Sequence, residues 1–366
     1  MFDLARQHSD RDLVHLEIGE PDFDTPEHII DSAAKALRNG ATHYTTSAGI
    51  PELRTAIATD LDSEYDPESE IIVTAGAVEA LALACLTVVD PGDEVIIPTP
   101  SWPNYQIQAI MAGGEITNVP LDEERGFSLD IELLTDKITD DTAAVLLATP
   151  SNPTGQVLDS SATAEVVKAA ANHDAYVIAD EVYKDIIYNQ ESTPIAANTA
   201  YPEHVITVGS CSKPYAMTGW RVGWFAADSE IIDAALEFHE SIIACAPAPS
   251  QQAAVAALTG DQEPVQSIFS SLSERRDYVV ERVESLPGVV CPEPEGAFYA
   301  FLDCGELERN STTISKQLLE EHGVVTVPGT GFGPGLDDYI RISFANSLDR
   351  LELGFDRIEK YAESVQ

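Results

Sequence analysis

Ser210-Cys211-Ser212-Lys213-Pro214-Tyr215-Ala216-Met217-Thr218-Gly219-Trp220-Arg221-Val222-Gly223 is the stretch on which the reading of this sequence turns. A lysine follows the strand candidate Val205-Val208, hydroxyls flank it at Ser210 and Ser212, and Arg221 stands eight residues later. A lysine amine attacks an aldehyde only when deprotonated, so a lysine used in that way needs surroundings that lower its pKa. Hydroxyls and a guanidinium bind phosphate, the guanidinium with two-pronged geometry. Taken alone, Lys213 reads equally well as a surface lysine beside a glycine turn.

Working outward, short apolar runs alternate with stretches of helical length. The strand candidates are Ile71-Thr74, Glu94-Pro98, Glu115-Val119, Ala143-Ala148, Ala175-Ala179, Val205-Val208 and Arg221-Phe225. Most are continuous runs bounded by Gly, Pro or Asp, the pattern of strands covered on both faces. Segments such as Ser160-Asn172 have helical length, and this rhythm predicts a mainly parallel α/β sheet. Ligands of such sheets collect at the C-terminal ends of the strands. Asp180 stands at one such end, where a carboxylate can keep a pyridine nitrogen protonated; the protonated ring is the electron sink of pyridoxal chemistry. Its structural alternative is a helix N-cap. Asn152, in Pro150-Ser151-Asn152-Pro153-Thr154-Gly155, follows another strand candidate and can donate a hydrogen bond to a phenolate, as can Tyr183; as a bare motif it is a turn. Ala77 and Val78 open a helix after Thr74-Ala75-Gly76, a position whose free N–H groups bind phosphate. Trp102 also follows a strand and either stacks on a ring or packs in the core.

Composition narrows the partners. The 366 residues are 44% hydrophobic and 22% charged, enough for a large core. Sixty-two acidic residues against 20 Lys plus Arg give a formal net charge of −42. Such a surface repels nucleic acid and anionic membranes, which excludes both as partners. The acidic residues are spread along the chain, as in Asp122-Glu123-Glu124 and Glu320-Glu321. This spread suits a protein adapted to a salt-rich, halophilic cytoplasm, where counter-ions screen self-repulsion. The five cysteines, at 85, 211, 245, 291 and 304, show no CxxC spacing, so reduced structural thiols are expected and no metal site. The first residues lack a signal pattern, and the apolar run Val73 to Val89 suits a buried helix better than a membrane span.

The C-terminal third carries a long helical pattern at Pro264-Leu286, strand candidates near Ala297-Leu302 and Tyr339-Phe344, and an amphipathic segment at Arg350-Val365. It reads as a smaller α+β domain joined by the N-terminal segment. Together with Ile18-Gly19-Glu20-Pro21-Asp22-Phe23, Tyr44, Ala48-Gly49-Ile50-Pro51-Glu52-Leu53-Arg54, Asp180-Glu181-Val182-Tyr183, Val327-Pro328-Gly329 and Ile340-Arg341-Ile342-Ser343, these segments stand in an order that resembles the fold type I pyridoxal-phosphate enzymes. Within these, the sequence is most similar to the class I/II aminotransferases of the prokaryotic aspartate-aminotransferase-like subgroup. The resemblance implies a large domain (39–274) with a mostly parallel seven-stranded sheet sandwiched by helices, and a small α+β domain (1–38 and 275–366). It implies a cytoplasmic homodimer with shared active sites that moves an amino group between an L-amino acid and a 2-oxo acid by a ping-pong mechanism.

The same resemblance assigns roles. Lys213 would carry pyridoxal 5'-phosphate as a Schiff base and shuttle the substrate proton. Asp180 would pair with the pyridine nitrogen, Asn152 and Tyr183 with the phenolate, and Trp102 with the ring face. Ala77 and Val78 N–H groups, Ser210, Ser212 and Arg221 would hold the phosphate, with Tyr44 arriving from the other subunit. Arg341, helped by Gly19 backbone, would clamp the substrate α-carboxylate. Two departures stand out. Family members have some twenty residues before the point matching Met1, so a more open entrance or a different start is expected. No basic residue stands out for a second substrate carboxylate, which leaves aspartate, aromatic, alanine-type and branched substrates open. The alternative on the same scaffold is a lyase, either a carbon–sulfur β-lyase or an enzyme like aminocyclopropane-carboxylate synthase. A transcription-regulator effector domain and an acyl-CoA-condensing synthase fit less well, lacking a DNA-binding segment and a basic nucleotide pocket respectively.

Overall fold

In the computed structural model, which describes residues 2–8, 11–61, 65–189, 193–307 and 310–365, the chain builds three sheets. In chain order the strands are β1 (Val14–His15), β2 (Ile71–Thr74), β3 (Glu94–Thr99), β4 (Glu115–Pro120), β5 (Thr142–Ala148), β6 (Tyr176–Asp180), β7 (Val205–Ser210), β8 (Gly223–Ala226), β9 (Tyr299–Asp303), β10 (Val324–Val325), β11 (Val327–Pro328) and β12 (Tyr339–Ser343). The main helices are α1 (Glu27–Arg38), α2 (Pro51–Asp60), α3 (Ala77–Val88), α4 (Asn104–Ala112), α5 (Ser160–Asn172), α6 (Ser229–Ile242), α7 (Ala248–Thr259), α8 (Glu263–Ser285) and α9 (Leu348–Val365).

The seven-stranded sheet runs β2-β8-β7-β6-β5-β3-β4, and β8 is its single antiparallel member. The expected parallel α/β sheet is therefore present. Its central strands are apolar on both faces because each face has its own cover. On β5, Val145 and Leu147 pack with Val166, Val167 and Ala170 of α5, while Ala144 and Leu146 pack with Leu81, Ala84 and Cys85 of α3. Strand β4 departs from that rule: it is one of the two edge strands, and only Val119 among its six residues is buried. The apolar run from Val73 is not one helix. Val73 and Thr74 finish β2, and α3 begins only at Ala77 after the Ala75-Gly76 turn. The Arg221-Phe225 candidate also starts later than expected, at Gly223, since Arg221 has a left-handed φ of 54° that no strand residue takes.

The C-terminal third folds as anticipated, with a three-stranded antiparallel sheet β11-β12-β9 packed against α8 and α9. Strand β1 pairs in parallel with β10, Val14 opposite Val324 and His15 opposite Val325, which ties the start of the chain to this region. Helix α8 runs without a break through positions 274 and 275, the expected domain boundary. Among the described residues no helix is long and apolar enough to cross a membrane.

Candidate active site

Strands β2, β3, β5, β6 and β7 all point the same way, so their C-terminal ends form one edge, and β8 starts at that edge. A cavity of about 380 Å³ opens there. Gly19, Ala77, Val78, Trp102, Asn152, Asp180, Tyr183, Ser210, Ser212, Lys213, Arg221 and Arg341, every expected residue except Tyr44, line it. Tyr44 is 86% exposed and does not line its own chain's cavity.

The floor is set by strand ends. Asp180 closes β6 and is buried; Oδ2 accepts the Tyr105 hydroxyl at 2.7 Å and Oδ1 accepts Val182 N–H at 3.2 Å. Burial pushes its carboxyl up to about 6, against the pull of the Tyr105 and Val182 hydrogen bonds and the Lys213 charge. Ser210 closes β7, and its Oγ lies 2.7 Å from Ser212 Oγ and accepts Ser212 N–H at 2.9 Å. Lys213 reaches across the cavity, donating from Nζ to Gly19 O at 2.6 Å. Arg221 donates to Thr218 O at 2.9 Å and to Ala75 O at 3.1 Å, which lays its guanidinium over the start of α3. Gly223 makes this closeness possible: a Cβ there would stand 2.8 Å from Ala77 N and 2.7 Å from Gly209 O.

The opposite wall comes from the chain ends. Arg341, on β12, is buried and donates to Asn152 Oδ1 at 2.9 Å and to Glu17 O at 2.6 Å. Its guanidinium lies 4.5 Å from the Tyr299 ring centre and 5.2 Å from that of Phe332. Its Nε is buried without a partner. Burial lowers its pKa from the ordinary value, yet an arginine stays cationic. The Tyr183 hydroxyl, 2.9 Å from that of Tyr299, bridges the two walls.

Sequence reasoning missed Glu17, Tyr105, Tyr299, Val327 and Phe332, which also line the cavity. Tyr105 had a signal. It stands three residues after Trp102 at the opening of α4, and the two rings meet edge to face with centres 5.5 Å apart. Tyr299 had none, since it is one aromatic residue inside the apolar run 297–302, and Phe332 stands between Gly331 and Gly333 in a glycine-rich loop that reads only as a turn.

The profile of the family described as aminotransferase class I and II matches residues 11–358. An aspartate aminotransferase of Pyrococcus horikoshii is 38% identical over 357 residues, covering 96% of this chain and 91% of that protein. The crystal structure of an aromatic aminotransferase from Pyrococcus horikoshii superposes with a TM-score of 0.93 at 37% identity, covering 98% of both chains. An alanine aminotransferase structure from Pyrococcus furiosus gives 0.93 at 33% identity, covering 98% of this chain and 95% of that one. This chain belongs to the class I and II aminotransferases. The relatives favour amino transfer over the lyase alternative, and aminotransferases of this family use pyridoxal phosphate.

The residues of this aminotransferase fit that cofactor. A buried carboxylate at Asp180 suits a cationic ring nitrogen. The free N–H groups at the start of α3, two serines and the Arg221 guanidinium suit a phosphate. Lys213 supplies a primary amine to the same cavity, and the Arg341 guanidinium, which suits a carboxylate, also lines it.

Proposed function

We propose that Lys213 is both the amine that holds the cofactor and the base that moves the substrate α-proton. The observation that carries this reading is the convergence of Lys213, Asp180, Arg221 and Arg341 on one cavity. Bound pyridoxal phosphate supplies an electron sink that acidifies the bond between the amino acid's α-carbon and its hydrogen. The protein's share is placement and proton traffic. Asp180, held by Tyr105, keeps a positive charge at the ring nitrogen, and Asn152 and Tyr183 donate to the ring oxygen. Trp102 covers the ring face. Ala77 and Val78 N–H, Ser210, Ser212 and Arg221 neutralise the phosphate. Arg341, with Gly19 backbone beside it, grips the α-carboxylate and so decides which α-bond stands across the ring. Lys213 Nζ, which lines the cavity, takes the proton from the α-carbon and gives it back, a placed transfer of the kind worth roughly 10²–10⁴-fold.

Three finer readings accompany this one. The protein works as a homodimer to which Tyr44 is contributed in trans. In support, Tyr44 stands exposed, as do Ile107, Ile110 and Met111 on α4 and Phe238 and Ile242 on α6, large apolar side chains of the kind that association buries. The chain divides into a large domain (39–274) and a small one (1–38 and 275–366), which the β1–β10 pairing supports, with α8 as the shared beam. The net charge of −42 marks a cytoplasm rich in salt. The three cations in the cavity, Lys213, Arg221 and Arg341, all have tasks, and Val78, Val327, Phe332 and Trp102 give the rest an apolar lining. A substrate with an uncharged side chain fits it best.

The test is absorbance of the purified protein in high salt, titrated with single amino acids and no acceptor. Conversion of the lysine-bound cofactor band to that of pyridoxamine phosphate, reversed by a 2-oxo acid, is the expected result and names the substrates. A band that persists while pyruvate and ammonia accumulate would overturn it.

A further inference from the structure

His239 sits on α6, wholly buried, and lines no part of the cavity. Its Nε2 lies 2.9 Å from the Ser47 carbonyl oxygen and its Nδ1 lies 2.9 Å from Glu79 Oε1. A carbonyl oxygen only accepts, so Nε2 carries a hydrogen. Nδ1 then either donates to a Glu79 carboxylate or accepts from a Glu79 carboxyl; in both cases one proton lies between the two side chains. The other Glu79 oxygen, Oε2, accepts Ala75 N–H at 2.5 Å. The Ala75 carbonyl in turn accepts Arg221 Nη2. A continuous chain of hydrogen bonds therefore runs from Ser47 through His239, Glu79 and Ala75 to Arg221.

The Ser47 end of that chain is firmly tied. Gln251 Nε2 donates to Thr45 Oγ1 at 3.0 Å, Ile50 N–H donates to Gln251 Oε1 at 2.8 Å, and Val73 N–H donates to Ala48 O at 2.9 Å. At the other end, Ala75 opens the turn that delivers the Ala77 and Val78 N–H groups to the cavity. We infer that His239 and Glu79 are positioning residues for the phosphate end of the cavity: the proton they share fixes the Ala75–Val78 turn and Arg221 against the loop that follows Tyr44. The inference rests on the reading of Ala77, Val78 and Arg221 as the phosphate cradle. It adds two residues that touch neither cofactor nor substrate and act through Ala75.

Removing the cofactor from the full-length protein and titrating it back separates a positioning role from a general loosening. The titration is followed by absorbance with pyridoxal 5'-phosphate and, separately, with pyridoxal, which lacks the phosphate. Melting of the cofactor-free forms identifies which variants are folded. His239→Leu and Glu79→Ala are expected to weaken pyridoxal 5'-phosphate about tenfold to a hundredfold and pyridoxal by less than about threefold. Glu79→Gln is expected to stay near wild type for both ligands. Its amide oxygen can accept Ala75 N–H while its amide nitrogen donates to a neutral Nδ1, so every hydrogen bond survives. Equal weakening of both ligands, or unchanged binding of both in folded variants, overturns the inference. Should His239→Leu fail to fold, the two Glu79 variants decide. A wild-type protein that binds neither ligand would sink the reading of Lys213 and the cradle, and this inference with it.

Discussion

The two walls of the cavity are made differently. Asp180, Ser210, Ser212, Lys213 and Arg221 come from a stretch of about forty residues, and each ends, follows or precedes a strand of one sheet. Gly19, Tyr299, Phe332 and Arg341 come from opposite ends of the chain. Arg341 meets Glu17 O across 324 positions and Asn152 across 189. The wall proposed to do chemistry is thus fixed by sheet topology, while the wall proposed to orient substrate depends on the small C-terminal sheet being docked in place. Variants in the two walls should fail in different ways.

The largest effect is expected from Lys213→Ala. Steady-state transamination should fall by roughly 10²–10⁴-fold or more, with circular dichroism unchanged; near-normal turnover would end the comparison at its first term. Arg341→Leu comes next. Loss of one partner of a desolvated charged contact costs on the order of 2–5 kcal/mol, so kcat/KM for amino and oxo acids should drop about 10²–10³-fold while cofactor binding changes little. An equal loss of cofactor affinity would show that the two walls are one unit.

Asp180→Asn tests the cost of the chemical wall. Burial raises the folded-state pKa of Asp180 to about 6, above its value in the unfolded chain. A raised group contributes stability that is present at low pH and is lost as pH rises through the folded pKa. In cofactor-free protein the variant should therefore gain on wild type between about pH 4 and 7, by up to roughly 3 kcal/mol less the hydrogen bonds it weakens. Melting curves across that range check this, and parallel curves would contradict it. Tyr105→Phe removes the hydroxyl that holds Asp180. A drop of about tenfold in kcat/KM is expected, with KM nearly unchanged. The smallest and most general effect concerns the surface: dialysing away potassium chloride should lower the melting temperature, and indifference to salt would remove the halophilic reading.

The difference between the walls also explains what could be read in advance. Lys213, Asp180 and Arg221 were legible because polar residues at the ends of apolar strands break a clear pattern. The seven strands were legible for the same reason, apart from the late start of β8, where Arg221 spends its left-handed turn. Tyr299 was not legible, because an aromatic residue in an apolar run looks the same whether it faces core or cavity, and Phe332 was not, because its glycine-rich loop reads only as a turn. Strands β1, β10 and β11 have two residues each, too few to show any period, and the β1–β10 pairing spans 310 positions, from Val14 to Val324. The Ser47–His239–Glu79 chain was illegible because it joins a loop and two helices that no local pattern connects.

The pairing of β1 with β10 carries a consequence for how the protein is made. A ribosome delivers the chain from its first residue, so Lys213 and Asp180 emerge while Val324 and Arg341 are still to be added. Until then Val14 and His15 have no strand to join, and Glu17 has no guanidinium to receive. During synthesis, the wall proposed to perform the reaction leaves the ribosome before the strand that carries Arg341, the residue proposed to choose what will react.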